Sequence, residues 1–86
     1  MSYKIPDLTR KRLQLSSNLR RLYMEKELSE HSIGMITSIL KAEATQGTER
    51  RCQILTQITD LLLESKTEDE FLHKLRINFF ETFNYS

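Results

Sequence analysis

Apolar and polar positions follow the period of an α-helix along nearly the whole chain. Leu8, Leu15, Leu19 and Leu22 fall at spacings of seven, four and three, with Leu13 just off their line. Asp7, behind Pro6, is placed to cap this segment, which predicts a helix over about residues 7–27. A stripe one residue wide has the form of a coiled-coil seam rather than of a helix sunk in a core, so Leu15, Leu19 and Leu22 are candidates for a protein interface. Ser29, Ser32 and Gly34 then interrupt the pattern. Either serine can cap a second helix over about 32–46, carrying Ile33, Ile36, Ile39, Leu40 and Ala44. Gly34 would allow a close backbone approach, and Gly47 would end the helix as a left-handed cap. Thr48 and Glu49 restart a helix over about 48–64 with Leu55, Ile58 and Leu62 on one face, supported by Ile54 and Leu61.

Thr67-Glu68-Asp69-Glu70 is the strongest local signal, a capping box with three acids in one first turn. The helix it opens, over about 68–83, carries Phe71, Leu72, Leu75, Phe79 and Phe83 on one stripe and Ile77 and Phe80 on a second face. A helix apolar on two faces needs two surfaces to pack against. One is the core of its own chain. The other makes Ile77, Phe80 and Phe83 candidate anchors for a protein partner.

Composition agrees with helices. Thirteen Leu, seven Ile and no Val favour them over strands, which prefer β-branched and aromatic residues. The expected fold is all-α, one domain over 1–86: a bundle of three to four helices with a long N-terminal helix, paired as a helical dimer because 86 residues bury a modest core. No apolar run is long enough to cross a bilayer, and Met1 to Pro6 contain no apolar signal core, so cytoplasmic placement is expected. The lone Cys52 excludes an internal disulfide.

Charge divides the chain. Residues 1–26 hold seven basic and two acidic side chains, net +5, whereas residues 27–86 hold six basic and ten acidic, net −4. Arg10, Lys11, Arg12, Arg20 and Arg21 could meet phosphates or an acidic partner, or simply form a solvated face. No aromatic interleaves with them, so single-strand stacking has no support. The second and third helices around Gly47 loosely fit a helix-turn-helix, in which Arg50, Arg51, Gln53 and Gln57 would read base edges. A structural αα-hairpin explains the same segment.

Nothing points to catalysis. His31 and His73 lie outside metal-ligand spacings, and Glu70-x-x-His73 is a single copy of a motif that helical metal sites use in pairs. Cys52 could pair with a histidine as a nucleophile, but one helical Cys is more simply core filler. No enzyme, no cofactor and no metal are expected. Phe71, Phe79, Phe80, Phe83 and Tyr85 could line a ligand pocket, although core plus dimer interface is the simpler reading.

From Leu28 to Phe83 the chain resembles the small enterobacterial biofilm and acid-resistance regulators of the YmgB/AriR type, on Ile33-Gly34-Met35-Ile36-Thr37-Ser38-Ile39-Leu40-Lys41, the polar break at 42–47, the apolar helix with Cys52, Ile54, Leu55 and Ile58, and the acidic turn before a closing apolar helix. The resemblance implies a non-catalytic, all-helical homodimer acting by protein contacts in signalling or transcription regulation, with no site residues to carry over. The expected function is a small regulatory or adaptor protein that dimerises and binds a larger protein. The alternatives are a DNA-binding regulator using the basic N-terminal helix, and a secretion chaperone or anti-sigma-like protein that masks a client helix.

Overall fold

Each helix connection is closed by a local hydrogen-bonding device, and these devices set the boundaries. The computed structural model describes residues 4–84, and Tyr85 lies outside them. The first helix, α1, runs Lys4–Glu25, so it begins ahead of Asp7, which sits in the first turn rather than at the cap. It stops without glycine. Glu27 takes a left-handed conformation (φ 54°), Leu28 N–H donates to the Tyr23 carbonyl at 3.1 Å, and Glu27 N–H donates to that of Met24 at 3.1 Å. This pair of bonds is a Schellman closure, and Leu28 completes it by packing against the core.

Helix α2 spans Glu30–Ala42: it starts earlier than expected because Ser29, not Ser32, is its N-cap, and it ends earlier, at the Glu43 cap. A 3-10 turn, Ala44–Gln46, follows. Gly47 has positive φ (94°) but an extended ψ of 168°, so it turns the chain into α3 instead of capping α2. Thr48 is accordingly the first residue of α3, Thr48–Glu64. Gly34 does not serve a close approach: nothing lies within 4 Å of where its Cβ would be.

Helix α4 spans Glu68–Asn78, and a short α5 spans Phe80–Asn84. The single closing helix expected over 68–83 is therefore broken at Phe79, which leaves helical backbone angles (φ −123°, ψ 46°) with its ring buried. Thr67 caps α4 as expected, its Oγ1 accepting from Glu70 N–H at 3.1 Å. The return bond differs from a strict capping box, since Glu70 accepts from Lys66 N–H, one residue earlier than the cap.

The described residues contain no strand, and the fold is an all-α bundle. Helix α3 is its centre, touching α1, α2, α4 and the 3-10 turn. Its six buried side chains, from Cys52 to Leu62, cover a wide arc, as a central helix requires. Leu8 lies by Cys52 near the starts of α1 and α3, and Lys26 and Leu28 lie by Leu62 and Ser65 at their ends, so these two helices run parallel. Gln57–Asn78 and Glu64–Lys74 contacts set α4 antiparallel to α3. Ser29 at the start of α2 meets Glu68 at the start of α4, which makes α2 antiparallel to α3 as well. Ile39, Ile54, Ile58, Phe71 and Leu75 are fully buried at the middle of the core.

The α1 seam expected to serve a partner is instead taken up within the chain. Leu19 is 2% exposed in the core, with Leu15 and Leu22 packed partly buried against it. A narrow stripe suffices here because α3 approaches α1 along much of its length.

Candidate interaction surface

Two apolar side chains of α4 and α5 stand outside the core. Ile77 is 60% exposed and Phe80 is 61% exposed, while Phe79 between them in sequence is 7% exposed. Phe83 is half-buried and packed against the core. Helical spacing alone puts Ile77 and Phe80, three residues apart, on one side and Phe79 on another, and the exposures keep this division although the helix breaks at Phe79.

Ile77 and Phe80 form a ridge between two open grooves. One groove is lined by His73, Arg76 and Phe83 together with the ridge. The other is lined by Asn78, Glu81 and Thr82, and by Glu43 and Arg50 from across the bundle. Arg50 and Glu43 are paired there at 3.3 Å, and Gln57 reaches Asn78 at 3.4 Å. Arg76 and Glu81 are exposed and take part in no ion pair among the described residues. The ridge thus has a basic flank, an acidic flank and an apolar crest. A protein surface of this composition can bind apolar groups and orient them by charge.

The basic residues of the N-terminal helix fall on different faces. Arg10, Lys11, Arg20 and Arg21 are exposed, whereas Arg12 is half-buried. Leu13 (54% exposed) and Met24 (65%) share the outward side, and Met24 lines a shallow depression with Ser17, Arg20 and Arg21. The base-reading set does not assemble: Arg50 is held by Glu43 and Gln53, and Gln57 by Asn78.

The other titratable residues serve the fold. Glu68 accepts from Ser29 N–H at 2.9 Å, from Ser29 Oγ at 2.6 Å and from the fully buried Ser32 Oγ. Hydrogen bonds from Ser29 first, then Ser32, hold its carboxyl below the usual carboxylate range. Glu70 is lowered by the Lys66 N–H and then by Lys74, with which it makes a 3.3 Å ion pair. Its carboxylate is therefore engaged away from the motif it forms with His73. His31 and His73 are exposed, and among the described residues no group of three His, Cys, Asp or Glu side chains is placed to hold a metal ion. Cys52 is buried with its Sγ 3.9 Å from the Leu8 carbonyl oxygen, under the start of α1.

Sequence periodicity identified Ile77 and Phe80 as a second face, and the same spacing places Arg76 beside Phe80 and Glu81 beside Ile77, so the charged flanks were legible in the sequence as well. No described helix is long and apolar enough to cross a membrane. Comparison of the chain with protein-family models, curated proteins and solved structures finds no match.

Proposed function

We propose that this chain is a small non-enzymatic adaptor or regulator that acts through protein–protein contact, in keeping with its resemblance to YmgB/AriR-type regulators. The contact surface is the crest formed by Ile77 and Phe80, with Phe83 at its base. The observation that supports the reading is the outward placement of these two large apolar residues side by side, each about three-fifths exposed, lining the same grooves. Adjacent exposed apolar side chains with a polar rim are the usual anatomy of a binding patch. A photoreactive phenylalanine analogue at position 80 of the full chain tests this in the producing cell. Covalent protein adducts are expected from position 80 and not from the exposed control position Ser38. A folded variant that yields no protein adduct from position 80, or equal adducts from both positions, overturns the reading.

A second reading, duplex DNA binding through α1, is favoured by the exposure of Arg10, Lys11, Arg20 and Arg21 on one long helix. It requires duplex affinity that falls steeply with added salt and is lost in Arg10→Ala/Arg20→Ala. Undetectable duplex binding at low salt removes it.

A further inference from the structure

We infer that the outward face of α1 lies on an anionic phospholipid surface. This goes beyond the protein contact at Ile77 and Phe80 and shares no residue with it. Arg10, Leu13, Ser17, the pair Arg20 and Arg21, and Met24 follow one another along α1 at steps of three and four, so they occupy one face, and all six are exposed. Leu15, Leu19 and Leu22 hold the opposite face against the core, so this one is turned away from the bundle over about 21 Å of helix. Its three arginines make no ion pair among the described residues, and the acids of α1, Asp7 and Glu25, stand at its two ends. The occupant follows from the chemistry of the face. Arginines alone would suit any polyanion, duplex DNA included. Leu13 and Met24, both more than half exposed among them, gain nothing from a phosphate backbone. A lipid surface presents phosphates and acyl chains within a few ångströms of one another. Guanidinium groups can pair with the phosphates there while apolar side chains and arginine stems enter the layer beneath. The face is also convex, with a shallow depression beside Met24, which gives a rigid partner little to fill but lets a fluid surface mould around it. Residues 27–86 carry net −4, so the same anionic field turns the rest of the chain away and leaves α1 toward the lipid.

Vesicle flotation of the full chain tests this, with vesicles of phosphatidylglycerol and phosphatidylcholine in equal parts set against phosphatidylcholine alone. Association is expected with the anionic vesicles only, and it should fall with added salt. Arg20→Glu with Arg21→Glu is expected to weaken it by about tenfold or more. Leu13→Ser with Met24→Ser, which leaves the charge unchanged, is expected to weaken it by about threefold or more. The chain contains no Trp, so Met24→Trp supplies a single reporter. Its emission is expected to shift to the blue on the anionic vesicles and to stay unshifted with duplex DNA. No association with anionic vesicles at low salt, equal association with both compositions, or full retention of binding by either double variant overturns the inference. Binding to duplex DNA but not to the anionic vesicles overturns it in favour of the nucleic-acid reading of α1. A blue shift from Phe80→Trp in place of Met24→Trp would put the ridge on the lipid and overturn it as well.

Discussion

The Glu68 carboxylate, at the first residue of α4, accepts a hydrogen bond from the hydroxyl of Ser32, which is completely buried in the first turn of α2. The same oxygen also takes the N–H and hydroxyl of Ser29, the α2 cap. One carboxylate thereby satisfies donors at the start of a helix 36 to 39 residues away in sequence and fixes the ends of α2 and α4 together. Its negative charge also lies at the positive ends of both helix dipoles.

This latch makes the fold sensitive to acid. The folded state holds the Glu68 carboxyl below its ordinary range, so its stabilising contribution is complete above that range and is lost as the pH falls through the depressed folded value. Glu70 acts in the same direction. The thermal midpoint of the wild type should decline on acidification, and Glu68→Gln should be less stable near neutrality with a flatter acid limb. Parallel midpoint-against-pH curves for the two proteins would refute the assignment. Ser32→Ala, which removes one buried donor, should cost about 1–2 kcal/mol in urea unfolding.

The α1 closure predicts an unusual gain. Glu27 holds a left-handed conformation that disfavours side chains, so Glu27→Gly should stabilise the protein by about 1 kcal/mol. Gly47 is the opposite case: at φ 94°, Gly47→Ala should destabilise by about 1–3 kcal/mol although its Cβ would have room. Chemical denaturation of both variants checks the pair, and a loss at Glu27→Gly would contradict the first.

Two phenylalanines of the closing helices, Phe71 in α4 and Phe80 in α5, should behave in opposite ways. Phe71 is fully buried, so Phe71→Ala should cost about 3–5 kcal/mol, which is enough to unfold a marginal domain of this size. Phe80→Ser should change the stability of the isolated subunit by no more than about 0.5 kcal/mol, because the ring is mostly in solvent. Unfolding measured at low protein concentration, where association does not contribute, separates the two. A large loss at Phe80 under those conditions would show that the ring belongs to the core.

The placement of α1 carries a further test. Leu19→Ala should cost about 2–4 kcal/mol and loosen the N-terminal helix in hydrogen exchange, whereas Leu13→Ala should be nearly silent. Equal and small effects would mean that α1 stands apart from the bundle.

The sequence by itself determined the helices and most of what they bury. Three-and-four spacing through Leu55, Ile58 and Leu62 marks the inner face of α3, and Thr67 marks the start of α4, because periodicity and capping are local properties. Tertiary structure decided three things that local rules do not contain. The left-handed Glu27 ends α1 where no glycine announces it, since closure by the Leu28 and Glu27 amides and burial of Leu28 offset the conformational cost. The Leu15–Leu19–Leu22 seam faces α3 rather than another molecule, because a stripe records that a helix is covered and not by what. The break at Phe79 has neither proline nor glycine to signal it. It lies where one aromatic, Phe79, is buried in the core and the next, Phe80, is left outside.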